Sequence, residues 1–321
     1  MELRIQRWGV LSHCTVPLPG LTVIAGANAT GKSTVGRLLL AAVKAISVDQ
    51  GGVEPAARGR SFISLWNDIF GNSASGAFEL VGDRQCAVRF EHTGMRGCHV
   101  QGGMHFPVAD ATMVETPLVA LLMLFLAAGQ YGADLIPSLY PYAMVDMYSK
   151  MLDGKSGGPA GAPEVAKGLA DGIARQIRGR LDGHGAGIVF VEERSPSRLR
   201  LSPKDVAAGQ LGLAVFAKLL ENGWIAGDTL TVFDEPENHI HPDWQSVYAE
   251  FLVRCVEDMG ATIVVNTHTP HMLHALKRFS DQRIAGRTAF CLAERCGGSA
   301  RIVTDSSPEL AYITPRMAGM T

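Results

Sequence analysis

No run of apolar residues in this chain is long enough to cross a bilayer. The longest, Leu118 to Ala128, is about half of the ~20 residues a span needs, and it reads as a buried helix. The opening residues carry no basic stretch leading into an apolar core and a cleavage site, so a cytoplasmic location without a membrane partner is expected. Paired cysteines are missing too. Cys14, Cys86, Cys98, Cys255, Cys291 and Cys296 form no C-x-x-C, no histidine spacing completes a zinc site, and they read as reduced cysteines of a cytosolic core. Neither sign of charge prevails, since 29 Lys and Arg against 31 Asp and Glu leave −2. That balance points away from a protein held on nucleic acid by bulk charge and from an acidic tail, while leaving room for a local basic patch. Internal repeats are absent. Apolar side chains are plentiful, at 47% of 321 residues, enough for a large core in one elaborated domain spanning 1–321.

Short apolar runs open the chain at Leu3–Ile5, Thr15–Pro17 and Leu21–Ala25, and read as strands, the last buried. Val35, Leu38, Leu39, Ala42, Val43 and Ile46 share one face of a helix over 32–46. A Gly- and Ala-rich loop covers 49–60, and strands are expected at Ala77–Val81, Ala87–Phe90 and Thr112–Thr116. A helical insertion is expected over about 118–180, broken by Pro137, Pro141 and a flexible segment at 154–163. Ile188–Glu192 and Arg198–Leu201 read as a hairpin, followed by a helix at 206–220. Strands at 229–233 and 262–267 then alternate with helices at 244–258 and 270–278, and final strands fall at 287–293 and 300–304. The expected fold is α/β: a mixed, largely parallel sheet flanked by helices, with an N-terminal antiparallel β region and the helical insertion.

Gly26-Ala27-Asn28-Ala29-Thr30-Gly31-Lys32-Ser33, with Thr34 next, fits G-x-x-x-x-G-K-[ST] between a buried strand and an amphipathic helix. The glycines let the backbone curl and turn its N–H groups toward phosphate oxygens, and the helix N-terminus adds partial positive charge there. Lys32 would reach the β- and γ-phosphates, and the Ser33 hydroxyl would ligate Mg²⁺. The pattern points to ATP with Mg²⁺; the plain alternative is a glycine-rich turn ahead of a helix. Leu230-Thr231-Val232-Phe233-Asp234-Glu235 is an apolar strand ending in two acids. Asp234 is the candidate to hold the magnesium beside Ser33 from a neighbouring strand, and Glu235 the candidate base for the attacking water. Adjacent acids also commonly cap helices.

Asp234-Glu235-Pro236-Glu237-Asn238-His239-Ile240-His241-Pro242-Asp243-Trp244-Gln245 resembles the D-E-P-E-x-x-[LI]-H-P-x-x-Q run of prokaryotic ABC-type ATPases related to the overcoming-lysogenization-defect nucleases. More distantly it is similar to the ATPase heads of SMC and double-strand-break repair proteins. Val265-Asn266-Thr267-His268-Thr269-Pro270 resembles the family's strand followed by T-H-S-P, and Met113-Val114-Glu115-Thr116-Pro117 looks like a further family segment. The resemblance covers roughly 1–46 and 105–315 and implies a P-loop NTPase head of the ABC type. It makes His268 the histidine that contacts the γ-phosphate; an N-cap or a satisfied polar group at a strand end is the alternative. His239 and His241 read as packing residues, since no third metal ligand accompanies them.

One position departs from the pattern. ABC-type ATPases carry L-S-G-G-Q or a related serine-bearing signature, which in the family completes the ATP site across a head-to-head dimer. The matching segment here is Val206-Ala207-Ala208-Gly209-Gln210. Gly209 and Gln210 remain, but Ala207 replaces the serine, and a methyl group cannot bond the partner's γ-phosphate; the plain alternative is that the segment is only a helix start. Slow or partner-dependent hydrolysis is therefore expected. Gln85 and Gln101 both qualify as the magnesium-sensing glutamine. The resemblance implies a homodimer or higher oligomer through the ATP sites. Its nuclease-bearing relatives have a C-terminal catalytic domain, for which about 50 residues after His268 leave no room. A separate effector chain, such as a nuclease, is expected, in anti-phage defence or DNA repair. A nucleotide-gated scaffold with little hydrolysis is the competing reading, and a transporter subunit fits the motif less well. Nucleic acid binding stays open on Arg175, Arg178, Arg180, Arg194, Arg198 and Arg200, which otherwise form a solvated face.

Overall fold

The computed structural model describes residues 1–49, 69–70, 76–82, 87–92, 98–102, 106–115, 141–155, 163–184, 187–193, 198–238 and 240–304. The chain begins with strands β1 (Glu2–Trp8), β2 (Cys14–Pro17) and β3 (Leu21–Gly26) and helix α1 (Lys32–Asp49). Strands β4 (Gly76–Val81), β5 (Ala87–His92), β6 (Cys98–Gly102) and β7 (Asp110–Glu115) follow, then helices α2 (Tyr142–Leu152) and α3 (Glu164–Ile177). Next come β8 (Gly179–His184), β9 (Gly187–Glu192), β10 (Leu199–Leu201) and α4 (Ala208–Glu221). The last elements are β11 (Thr229–Asp234), α5 (Pro242–Met259), β12 (Thr262–Thr267), α6 (Pro270–Arg283), β13 (Thr288–Cys296) and β14 (Ser299–Thr304).

The central sheet has six strands in the order β14-β13-β3-β12-β11-β7; β13 through β7 run parallel and β14 pairs antiparallel at the edge. All six residues of β3 are buried, because a parallel strand covered on both faces needs an unbroken apolar run. The two faces divide by parity. Leu21, Val23, Phe233, Ile263 and Val265 enter one core with side chains of α3 to α6, whereas Ile24, Leu230, Val232 and Val264 enter a second core with α1. A five-stranded antiparallel sheet, β2-β1-β4-β5-β6, packs into that second core, and β8, β9 and β10 form a small third sheet.

The structure corrects the sequence expectation in four places. The helical region does not run to Arg180: α3 ends at Arg178, whose left-handed backbone (φ 52°) turns residues 179–184 into a strand paired with β9. Strand β6 had no sequence signal. Asp234 does not come from the strand next to the glycine-rich loop, since β12 lies between β3 and β11. The connection from β11 through α5 inserts that strand, as a crossover between parallel strands does. Helix α1 runs to Asp49, past the expected end at 46. The readings of Leu118–Ala128, of 118–140, of 50–60 in the expected loop, of Gln85 and of His239 lie outside the described residues.

Behind the sheet, Lys44, Asp110, Asp146 and Lys150 form a buried network of alternating charge. Lys44 Nζ lies 2.7 Å from Asp110 Oδ1 and 3.0 Å from Asp146 Oδ1, and Lys150 Nζ contacts both aspartates as well as the Ala111 carbonyl and the Thr112 hydroxyl. Burial alone would raise the Asp110 carboxyl, but Lys150 and Lys44 outweigh it and hold it at about 2. A group whose folded pKa lies below its unfolded value of ~3.9 contributes stability above that value and loses it as pH falls toward the folded one. The urea midpoint is therefore expected to fall between about pH 4 and pH 2, beyond the loss seen in an Asp110→Asn variant.

Candidate functional site

The glycine-rich loop joins β3 to α1. Gly31 has φ +90°, and a Cβ there would meet Leu11 Cδ2 at 2.6 Å; one at Gly26 would meet the Ala293 carbonyl at 2.4 Å. Both positions need glycine, the first for its backbone and both for the close approach of a neighbour. Ala29 also adopts a left-handed backbone (φ 60°), and the Thr30 hydroxyl donates to the Ala27 carbonyl across the loop. Ala27, Asn28 and Ala29 are exposed at the crest, while Ser33 and Thr34 are half-buried in the first turn of α1. Lys32 is buried, and its Nζ donates to the carbonyls of Gly26 and Ala27, each at 2.9 Å. Burial pushes the Lys32 ammonium below its usual value, against the opposing pull of Glu235, Asp234 and Glu237.

Asn266, at the end of β12, fills the gap between loop and acidic strand. Its Nδ2 donates to the Lys32 carbonyl at 3.1 Å and to Asp234 Oδ1 at 2.7 Å. Glu235 follows with φ 51°, a left-handed conformation that costs a non-glycine residue roughly 1–2 kcal/mol. Its N–H donates to the Asn266 carbonyl at 2.9 Å, Asn238 Nδ2 donates to its Oε2 at 3.0 Å, and its Oε1 lies 3.8 Å from Lys32 Nζ and 3.3 Å from His268 Nδ1. Lys32, Asp234, Glu235 and His268 thus meet at the carboxyl ends of β11 and β12, beside Ser33. Glu115, paired in register with Asp234, adds another acid; burial raises its carboxyl, Arg37 at 3.6 Å opposes that, and Asp234 adds to it.

Two residues of this cluster escaped the sequence reading. Asn266 was visible only as a polar side chain at the end of an apolar strand. Glu237 stood in the quoted Asp-Glu-Pro-Glu run without a task, yet it is almost completely buried. Its Oε1 accepts from the Thr267 hydroxyl at 2.6 Å and from the His268 N–H at 3.0 Å. Burial raises its carboxyl, with the Thr267 and His268 hydrogen bonds opposing.

The structure does not bring the signature segment into this cluster. Ala207 is the N-cap of α4 and supplies no side-chain cap, and Gln210 spends its amide on the Ile177 carbonyl at 3.1 Å, tying α4 to α3. Among the described residues, no hydrogen bond or ion pair joins Ala207, Gly209 or Gln210 to the loop. His241 is exposed and caps α5 through a bond from the Asp243 N–H, so it is not a packing residue. Gln101 lies in β6, the edge strand of the five-stranded sheet, and not in the six-stranded sheet that carries the cluster. Of the basic residues, Arg180 sits 3.6 Å from Asp171 and 3.4 Å from Glu193, and Arg200 bonds Asp182 at 2.9 Å, the pairing of a solvated face. A cavity of about 200 Å³ between α3, α4 and β8 is lined by Arg180 but by none of the candidate nucleotide-site residues. Among the described residues, no helix is long and apolar enough to cross a membrane.

Residues 188–273 match a family model described as an AAA domain, putative AbiEii toxin, Type IV TA system. That stretch holds Ala207, Asp234, Glu235, Glu237 and His268 but not the glycine-rich loop. No curated protein matches the chain. Among solved structures, an SMC head bound to the C-terminal winged-helix domain of ScpA is similar over 97% of this chain and 98% of its own, at 13% identity and a TM-score of 0.53. The SMC head with a coiled coil and joint from Pyrococcus yayanosii covers 99% of both chains at 11% identity and 0.53. The head with an extended coiled coil from Pyrococcus furiosus, bound to the C-terminal domain of ScpA, covers 99% and 98% at 12% identity and 0.51. The chain shares the P-loop fold of SMC heads. At these identities the likeness speaks for fold, and it agrees with the α/β, mixed-sheet reading of the sequence.

Proposed function

We propose that this protein binds and hydrolyses ATP with Mg²⁺, and that nucleotide-driven association of two heads regulates a separate effector, in prokaryotic defence against phage or in DNA repair. One observation supports the chemistry above all: a single amide, Asn266, bonds both the first residue of α1 and the Asp234 carboxylate, so loop and acids form one site. The Ser33 hydroxyl and the Asp234 carboxylate are hard oxygen donors, the set Mg²⁺ prefers. The ion, when bound, neutralises charge on the β- and γ-phosphates. Backbone N–H groups of 27–33 and the Lys32 ammonium receive the phosphates, Glu235 takes the proton side of the attacking water, and His268 faces the γ-phosphate. The SMC heads in the solved complexes bind a partner protein, ScpA, and an effector bound to this head fits the same scheme.

Removing the Lys32 ammonium deletes charge-assisted hydrogen bonds worth roughly 1.5–3 kcal/mol, so Lys32→Met should weaken ATP·Mg²⁺ binding about 10- to 150-fold by titration calorimetry. If wild-type protein takes up no nucleotide when magnesium is supplied, the whole reading fails. Ala207 favours a second reading, an ATP-gated scaffold with little turnover: α4 begins without any side-chain oxygen that a partner's phosphate could use. Turnover measured with and without effector and DNA separates the two.

A further inference from the structure

We propose that Glu237 is a positioning residue for His268: its buried carboxylate folds the β12–α6 turn around itself and, with Glu235, holds the proton on Nδ1 of the ring, leaving Nε2 as the nitrogen that meets the nucleotide. The inference deepens the ATPase reading and rests on His268 being the residue that faces the γ-phosphate.

The turn is built on one carboxylate oxygen. Oε1 of Glu237 receives the Thr267 hydroxyl at 2.6 Å and the His268 N–H at 3.0 Å, and the Thr267 hydroxyl in turn receives the Thr269 N–H at 3.2 Å. Three consecutive residues of the turn are therefore fixed by a side chain from the β11–α5 connection. The ring lies near the same oxygen: Nδ1, which is buried and makes no hydrogen bond, is 3.6 Å from Glu237 Oε1 and 3.3 Å from Glu235 Oε1. While ionised, the two carboxylates only accept and so favour the Nδ1–H tautomer, because a bare nitrogen lone pair there would face negative charge. With the hydrogen on Nδ1, Nε2 is the ring nitrogen left to face a phosphate oxygen. The charged neighbours of this arrangement are Glu235 and Glu237 from the β11–α5 connection and Lys32 from α1, whose ammonium lies 3.8 Å from the Glu235 oxygen that contacts the ring. Glu237 itself is nearly inaccessible to solvent, so its task lies in holding the turn and not in touching substrate.

Glutamine at 237 keeps the size and an acceptor oxygen but removes the charge. Glu237→Gln should lower kcat about tenfold or more while KM for ATP stays within about twofold, as a displaced catalytic group does. In a His268→Gln background the same change should cost nothing further, since the residue it positions is gone. Ring ¹⁵N spectra of His268 in the nucleotide-free wild type should show the neutral Nδ1–H tautomer, moving toward a mixture in Glu237→Gln. A wild-type ring protonated on Nε2, or a loss that adds in full to that of His268→Gln, overturns the proposal. The ring spectrum needs neither turnover nor a variant that folds, so it decides the inference even where ATP hydrolysis itself fails to appear.

Discussion

Glu235→Gln is expected to lower ATP turnover roughly 10²- to 10⁴-fold, the range of a positioned general base, while ATP·Mg²⁺ still binds. Glu235 is held on both sides, by its own N–H on the Asn266 carbonyl and by Asn238 on its Oε2, in a left-handed conformation that only such contacts sustain. Its other oxygen faces Lys32 and His268. Glutamine preserves the shape and the acceptor for Asn238 but cannot take a proton from water. The loop and Lys32, proposed to receive the phosphates, are untouched, so bound ATP should accumulate and paired heads should persist, visible as a nucleotide-dependent dimer in size-exclusion chromatography with light scattering. Equal turnover in mutant and wild type would assign the base to another residue. Absence of turnover in both, together with tight ATP binding, would favour the scaffold reading.

The parts of this site that follow from short motifs were readable, because their chemistry restricts residue type at fixed spacing. A loop that must present N–H groups needs Gly26 and Gly31, and a strand that must deliver an acid at its end reads as an apolar run stopping at Asp234. What could not be read was the order of strands. Nothing local says that β12 lies between β3 and β11, so the role of Asn266 as the bridge between them was invisible; the residue is defined by two neighbours from distant parts of the chain. Glu237 was hidden for a related reason: an acid one turn past a strand looks like solvated surface until the fold closes over it. Strand β8 failed differently. Residues up to 178 carry a helical pattern, and the switch to a strand is set by one left-handed residue, Arg178, which propensity does not anticipate. Apart from Asp146 and Lys150 at i,i+4, the charges of Lys44, Asp110, Asp146 and Lys150 lie 36 to 106 residues from one another, so no window of sequence contains the network.

Replacing Lys44 by methionine should destabilise the fold by about 3–5 kcal/mol, the cost of breaking a buried ion pair from one side, read as a lowered urea midpoint at unchanged slope. The wild-type network holds two ammonium and two carboxylate groups, all buried, so its charges cancel. Lys44→Met leaves two aspartates sharing Lys150, and Asp146→Leu leaves two lysines sharing Asp110. Each single change strands a charge where water cannot reach it. The double variant removes one of each sign and restores neutrality, so it should lose markedly less than the sum of the two, a coupling expected for groups in direct contact. Additive losses, or a single-variant cost under about 1 kcal/mol, would show that the four groups act independently. The placement gives the network a consequence beyond stability. Lys44 belongs to the helix that carries Lys32 and Ser33, while the backbone carbonyls of Lys150 and Met151 are held by Asn222, the residue capping the far end of α4, whose near end bears Ala207 and Gly209. The charged network joins α1 to α2, and Asn222 joins α2 to the end of α4, so α2 links the glycine-rich loop to the segment proposed as the signature. A folded Lys44→Met protein should therefore bind ATP with near-normal affinity yet dimerise less readily on it, because only the second step requires both helices to be presented in a fixed relation.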